Sequence, residues 1–180
     1  SHDGIGLRPL EGLVPEGDIQ RLTDAAHKRG GFAAMRSADD GTETVYELNI
    51  ALFSAFGGTA KNIPAYLGAH QLMLAFQGIP ALYLNAFVGS LNDLQGVEST
   101  GRTRSINRGH WQLDDLKTIL ATETNEQSII FAELNRSLEI RGSQSAFAPS
   151  AQQEILAYTK DSLWLKRENT DQVILVIASF

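Results

Sequence analysis

The hydrophobic positions of this 180-residue chain recur with two different periods. In four segments the apolar residues lie three or four positions apart, which is the spacing of one helix face. These segments are residues 18–29, 62–77, 113–121 and 126–140. Glycine follows the first two segments, at Gly30 and Gly78, and glycine is a common helix stop signal. The first part of the chain is therefore predicted to be rich in helices.

Shorter apolar segments in the same part of the chain predict β structure. Residues 32–36 and 44–48 flank the turn-forming DDG at residues 39–41, which predicts an irregular hairpin or a long loop closed on itself. Residues 79–84 form a continuous apolar run, which is typical of a strand buried on both faces. Residues 85–111 show no clear period and are rich in Gly, Asn, Ser and Thr, so a long functional loop is predicted there.

After Pro149 the pattern changes to short β-rich segments alone. Residues 155–159, 163–167 and 172–179 are separated by polar turns, which predicts an antiparallel meander. The change from mixed strand and helix to β structure alone predicts two units. Their boundary is expected near residues 143–150.

Composition limits the classes of function. The net charge is −6 and no run of Lys or Arg occurs, which argues against a nucleic-acid partner because phosphates are neutralised by clustered cations. No apolar run approaches the ~20 residues of a membrane span. The chain has no cysteine, which fits a reducing compartment, so the cytoplasm is the expected location. The four histidines are dispersed and no phosphate-loop glycine pattern occurs, so neither a metal nor another cofactor is expected.

The first six residues, SHDGIG, place a His-Asp pair directly before two glycines. One interpretation is an ordinary turn, in which His2 and Asp3 bond the local backbone. The other is the rim of a pocket, because Gly4 and Gly6 would let a ligand approach the backbone closely. Taken alone, these six residues favour the turn, since short motifs often match by chance.

Four segments together resemble the α-amylase superfamily, and most of all its sucrose-phosphorylase branch. They are SHDGIG at residues 1–6, VYELN at residues 45–49, GIPALY at residues 78–83 and SINR at residues 105–108. SLEIRGSQSAF at residues 137–147 is similar to the last barrel helix of that superfamily, where it runs into a C-terminal β domain. The similarity extends over essentially the whole chain.

The resemblance implies an α/β fold that is the C-terminal part of a (β/α)₈ barrel followed by a small antiparallel β domain. Residues 1–142 would supply the barrel from about strand seven, with residues 79–84 as strand eight, and residues 143–180 would supply the β domain. A whole barrel needs ~250 residues, so the resemblance implies a fragment whose N-terminal barrel half is a missing partner.

The resemblance also implies roles for three polar residues. Asp3 matches a carboxylate that stabilises the cationic transition state of the sugar ring, and His2 matches a histidine that bonds the same ring. Arg108 resembles an arginine on the far side of the glucose; the alternative is a guanidinium that anchors a surface loop. The nucleophile and the general acid/base of the superfamily come from strands four and five, so the fragment alone is expected to be inactive.

Tyr46 and Glu47 match a mobile loop that alternates in the family between admitting the acceptor sugar and admitting phosphate. The alternatives are a tyrosine packed under a hairpin and a solvated glutamate. Sucrose-specific members resemble one another in having an amide at the position of Glu47. An acid there disfavours fructose and favours glycerate, glycerol or a phosphorylated sugar as the acceptor.

The function implied by the resemblance is that of a retaining α-glucoside phosphorylase. It would transfer glucose from a glucosylglycerate- or sucrose-type donor to inorganic phosphate and give α-glucose 1-phosphate. One alternative is an α-glucosidase or amylase-type hydrolase, in which water replaces phosphate. Another is a non-catalytic carbohydrate-binding or assembly domain. The expected partners are the glucoside and phosphate, without nucleic acid or membrane, and a homodimer stays open.

Overall fold

The computed structural model describes residues 4–37 and 41–179. Contacts within the chain define two compact units, each described separately below. The first unit comprises Ser1–Ile63 and Leu82–Ser128, and the second comprises Pro64–Ala81 and Ile129–Phe180. The chain therefore enters the second unit twice.

All four predicted helices are present. The α-helices of the described residues are α1 (Glu16–Lys28), α2 (Leu52–Ala55), α3 (Ile63–Ala75), α4 (Leu84–Phe87), α5 (Leu94–Thr100), α6 (Leu113–Leu120) and α7 (Glu126–Ser143). Short 3₁₀ helices occur at Arg8–Leu10, Ala60–Asn62, Thr103–Asn107 and Ser145–Phe147. The helices α1, α3, α6 and α7 confirm the four segments with helical spacing. None of the described helices has the length and apolar character needed to cross a membrane.

Three strands of the first unit form an antiparallel sheet, in which β3 (Glu43–Asn49) lies between β1 (Ile5–Gly6) and β2 (Phe32–Ser37). The register of β2 against β3 shifts once, between Ala34 and Met35, which is the mark of a β-bulge. The predicted hairpin is confirmed. Because β3 is the central strand, Glu47 and Leu48 are paired on both sides, with β1 and with β2.

The sheet of the first unit packs on α1 through a small apolar core. Leu7, Ala26, Leu48 and Ile50 are each at most 4% exposed and form one cluster. Burying each leucine or isoleucine side chain of this cluster contributes ~1.5–3 kcal/mol to the stability of the fold. The core therefore holds the chain that follows β1 against the central strand.

The strand predicted at residues 79–84 is absent. Residues 79–83 have no regular structure, α4 begins at Leu84, and Ile79 is 85% exposed. An apolar run can indicate burial, but a strand also needs a neighbour to complete its hydrogen-bond ladder. The two described sheets contain only antiparallel pairs from other parts of the chain, so this prediction was wrong for the described residues.

The segment 85–111, predicted to be one long loop, contains short helices. The side chain of Asp93 caps α5 by accepting a hydrogen bond of 2.7 Å from the third residue of that helix. At its other end Gly101 adopts a left-handed φ of 65°. Capping residues define this helix rather than apolar spacing, which is why the periodicity did not reveal it.

The sheet of the second unit is the predicted meander. The strand β5 (Ser162–Glu168) lies between β4 (Gln152–Tyr158) and β6 (Val173–Ser179), and all pairs are antiparallel. The side chain of Asn169 shapes the β5–β6 turn. Its oxygen accepts 2.9 Å hydrogen bonds from the backbone N–H groups of Asp171 and Gln172. Turn chemistry and strand composition agree here, and the prediction is confirmed.

The two compact units do not follow the order of the sequence. The second unit combines the meander with residues of α3 and most of α7. The boundary expected near residues 143–150 concerns a division into structural domains, which these two compact units do not test. The assignment of residues 1–142 and 143–180 to two domains stays a prediction.

Candidate functional site

Three of the five predicted site residues lie within the described structure, and all three belong to the first unit. Tyr46 and Glu47 are neighbours in β3, and Arg108 directly follows the 3₁₀ helix Thr103–Asn107. His2 and Asp3 lie outside the described residues. The roles of His2, Asp3 and Arg108 around one glucose ring therefore stay a prediction.

Tyr46 and Glu47 lie in a strand and not in a loop. Both belong to the central strand, where Glu47 is paired with Ala34 on one side and with Gly6 on the other. β-branched and aromatic residues such as Val45 and Tyr46 favour this extended conformation. The expectation of a loop at these two residues is corrected: both lie in β3, where Glu47 is paired on both sides and Tyr46 is the residue skipped at the β-bulge.

Glu47 is a buried carboxylate with a specific partner. Only 6% of the residue is exposed, and both of its oxygens accept hydrogen bonds from the guanidinium of Arg104. The Nε–Oε1 distance is 3.0 Å and the Nη2–Oε2 distance is 3.1 Å. This bidentate geometry is the strongest form of a charge-assisted hydrogen bond. The interpretation of Glu47 as a solvated glutamate was wrong.

Tyr46 lies beside the same guanidinium. Its ring is half-buried, and Nη2 of Arg104 is 3.5 Å from the Tyr46 hydroxyl, which is a weak contact at that distance. The backbone oxygen of Tyr46 accepts a 2.8 Å hydrogen bond from Leu7. Tyr46, Glu47 and Arg104 therefore form one cluster at the centre of the sheet.

Gly4 is required by its close approach to β3. A Cβ atom at residue 4 would lie 2.3 Å from the backbone oxygen of Leu48 and 2.8 Å from Cγ of Glu47. A Cβ at Gly6 would meet nothing within 4 Å. The first glycine of the SHDGIG motif thus lets the backbone pass directly against the glutamate, whereas the second is not demanded by space.

A second contact ties the 3₁₀ helix to β3. The side chain of Asn49 is 1% exposed and donates a 3.2 Å hydrogen bond to Oγ1 of Thr103. Together with the Glu47–Arg104 pair, it fixes two consecutive residues of the 3₁₀ helix to the same strand. Arg108, at the end of this helix, is exposed.

A small cavity lies in the first unit beside these elements. Its volume is about 50 Å³, and its polar lining includes Tyr83, Asn85, Ser90 and Asn107. This is room for a few water molecules. It is far below the ~300–1,000 Å³ of typical ligand pockets, so the cavity alone does not hold a sugar.

The remaining titratable groups do not indicate a metal centre. In residues 4–37 and 41–179, no three metal-ligating side chains lie together. His70 is buried in α3, where its ring packs on Tyr66 at 4.5 Å and Nδ1 lies 2.9 Å from the backbone oxygen of that tyrosine. Burial lowers the pKa of His70, which is the behaviour of a packed core histidine.

Comparison with known proteins identifies relatives of the chain. No protein-family model matches it. The glucosylglycerate phosphorylases of Escherichia coli K12 and Spirochaeta thermophila are each 33% identical to it over 175 residues, which is 95% of this chain. The sucrose phosphorylase of Bifidobacterium adolescentis is 25% identical over 158 residues, or 82% of this chain. The chain is a homologue of these phosphorylases.

The phosphorylase homologue is also similar in fold to a solved member. The structure of this chain matches the crystal structure of sucrose 6F-phosphate phosphorylase from Thermoanaerobacter thermosaccharolyticum with a TM-score of 0.82, at 23% identity. The match covers 98% of this chain and 35% of that protein's chain. This chain spans about a third of the length of its curated relatives; in the Escherichia coli protein, the matched part is 31% of the full length. The resemblance to the sucrose-phosphorylase branch is confirmed.

Arg104 is the residue that sequence reasoning missed. It lies 57 residues from Glu47 in the sequence, so no local pattern connects the two. A signal was nevertheless present: a glutamate in the middle of a predicted strand needs a cation if it is buried. Arg104 also lies within the same short polar segment as Arg108.

Proposed function

We propose that the intact protein containing this chain is a retaining phosphorylase of glucosylglycerate-type donors. It transfers the glucosyl group to inorganic phosphate and releases α-glucose 1-phosphate. In this proposal residues 1–142 belong to a (β/α)₈ barrel from about strand seven, and residues 143–180 form its antiparallel β domain. The homology to phosphorylases and the fold likeness support this assignment.

The chemistry needs residues outside this chain. Retaining enzymes use two carboxyl groups ~5–5.5 Å apart, one as the nucleophile and one as the acid/base. The nucleophile bonds to the anomeric carbon while the acid/base protonates the oxygen of the departing glycerate. A phosphate oxygen then attacks the same carbon as the bond to the nucleophile breaks, and the phosphate proton passes to the acid/base. Asp3 would stabilise the positive charge that develops on the ring, and His2 and Arg108 would orient the glucosyl group. The chain alone is therefore expected to be inactive.

The buried pair of Glu47 and Arg104 is the observation that carries the donor assignment. An amide in place of Glu47 would offer Arg104 one acceptor oxygen and no charge, so the bidentate pair requires the acid. Relatives named glucosylglycerate phosphorylase are 32–33% identical to the chain, whereas those named sucrose phosphorylase are 25–28% identical. Both observations favour a glycerate-type acceptor over fructose.

Phosphate dependence tests the proposal. The intact protein is incubated with glucosylglycerate or sucrose, with and without phosphate, and glucose and α-glucose 1-phosphate are measured separately. We expect α-glucose 1-phosphate, formed faster from glucosylglycerate and only when phosphate is present. Glucose released equally without phosphate would identify a hydrolase, and no product from either donor would contradict a catalytic role.

A further inference from the structure

Arg104 combines a fixed orientation with access to solvent. The side chain of Glu47 is 8% exposed, whereas that of Arg104 is 42% exposed. The buried carboxylate engages the Nε and Nη2 edge of the guanidinium. Glu47 is thus the buried member of the pair, and Arg104 is the exposed member.

A guanidinium held in this way is suited to an oxyanion. Its planar fork matches the geometry of a carboxylate or a phosphate, and a guanidinium loses less entropy on binding when its orientation is already set. The Tyr46 hydroxyl lies beside it, and exposed Arg108 follows on the same 3₁₀ helix. The local donors are therefore two guanidinium groups and a tyrosine hydroxyl, and the Glu47 carboxylate offsets one of the two positive charges.

We propose that Arg104 binds the oxyanion of the acceptor side of the reaction, which is the carboxylate of a glycerate-type acceptor or the incoming phosphate. Glu47 is a positioning residue that acts through Arg104, and the Asn49–Thr103 hydrogen bond steadies the same helix. This inference rests on the proposed function. It adds to that function the residue that selects an anionic acceptor.

The test uses the intact protein in both reaction directions. KM for phosphate is measured in phosphorolysis, and KM for D-glycerate and for neutral glycerol is measured in synthesis from glucose 1-phosphate. Loss of a charged hydrogen bond weakens binding ~10–100-fold, so Arg104→Gln is expected to raise KM for the oxyanion by that factor. A rise for phosphate alone, for glycerate alone or for both identifies which oxyanion the residue holds. KM for glycerol is expected to stay within about twofold.

A second variant separates binding from stability. Arg104→Gln leaves the Glu47 carboxylate buried without its cation, which destabilises the fold. The double variant E47Q/R104Q removes that charge, so we expect its unfolding midpoint to recover while KM for the oxyanion stays as high as in R104Q. Arg104→Lys, which keeps the charge without the fork, is expected to lie between R104Q and the unaltered protein.

The control is Arg102→Gln, which removes an exposed arginine just before the same 3₁₀ helix and is expected to leave every KM within about twofold. The inference is overturned if KM for phosphate and for glycerate stays unchanged in R104Q. Recovery of KM together with the unfolding midpoint in the double variant would also overturn it, because the pair would then be structural only. If the unaltered protein makes no glucose 1-phosphate, the proposed function fails instead. Calorimetric binding of phosphate and D-glycerate to the unaltered protein and to R104Q then shows whether Arg104 binds an oxyanion.

Discussion

Each of the two units fixes an arginine, and the two arginines have opposite environments. Arg104 in the first unit pairs with a buried carboxylate and is 42% exposed. Arg167 in the second unit is fully buried and donates to backbone carbonyls alone, among them those of Ala75 and Ala148, each at 2.9 Å. An arginine with a charged partner and an exposed side can serve a ligand. A buried arginine with carbonyl partners serves the fold.

The carbonyl arrangement joins separate parts of the second unit. Arg167 reaches the last residue of α3 and the segment before β4, where the carbonyls at helix ends lack intrahelical donors. Arg141 of α7 donates to the carbonyls of Leu74 and Gly78, and both guanidinium groups lie beside the Phe147 ring, at 5.6 and 5.7 Å. Burial lowers the pKa of Arg167, and the nearby Arg141 charge lowers it further. Partial negative charge at the α3 C-terminus offsets this cost.

Arg167→Met is expected to have the largest effect on stability. The substitution keeps much of the apolar volume but leaves at least two buried carbonyls without a donor, each costing ~1–3 kcal/mol. We expect the free energy of unfolding of the intact protein to fall by ~3 kcal/mol or more, measured by urea denaturation. Arg136→Met, on an exposed position of α7, is the matched control and should change it by less than about 0.5 kcal/mol. Equal stability of both variants would show that the carbonyl contacts contribute nothing.

Asp3→Asn tests whether the first unit carries a group that acts in the reaction. The amide keeps the size of the side chain but removes the charge that, in the proposed function, would face the developing cation, and such losses cost ~10²–10³ in rate. We expect kcat of the intact protein to fall by about that factor while its unfolding midpoint stays nearly constant. Retained activity, or loss of the fold in place of activity, would make Asp3 a turn residue.

Gly4→Ala tests whether the position of Glu47 depends on the backbone that passes directly against it. The added Cβ would collide with the Leu48 oxygen, and relieving such overpacking costs ~1–3 kcal/mol. We expect lower stability and, because Glu47 must move, a higher KM for the acceptor. Gly6→Ala is the control, since it has open space and no positive φ. Similar effects of both substitutions would remove the close approach as an explanation.

His70→Gln should have the smallest pH-dependent effect, and this part of its effect is confined to acidic pH. Burial lowers the pKa of His70 below 6.5, so the unfolded chain binds its proton more readily than the folded chain. Stability is therefore unaffected above pH ~6.5 and falls as pH drops below that value. The variant should lose this part of the pH slope of the unfolding midpoint, whereas His27→Gln, at an exposed position, should keep it. An unchanged slope in the His70 variant would contradict the assignment.

Patterns close together in the sequence were sufficient for much of the fold. The apolar spacing predicted α1 and α7, and alternating β-rich segments with polar turns predicted the meander. Residues 79–84 failed because a strand depends on a neighbouring strand as well as on its own composition. The identity of the partner of Glu47 could not be predicted for a related reason, since Arg104 is 57 residues away and lies in a 3₁₀ helix outside the sheet.

We propose that Arg104 serves ligand binding, whereas Arg167 serves the fold. The most direct test compares E47Q/R104Q with Arg167→Met in the same intact protein, measuring KM for phosphate and for D-glycerate beside the urea midpoint of unfolding. We predict a ~10–100-fold rise of KM for the oxyanion with a nearly constant midpoint in the first variant. In the second we predict a lower midpoint with unchanged KM. Unchanged KM values in E47Q/R104Q, or KM values that follow the midpoint in both variants, would contradict the account.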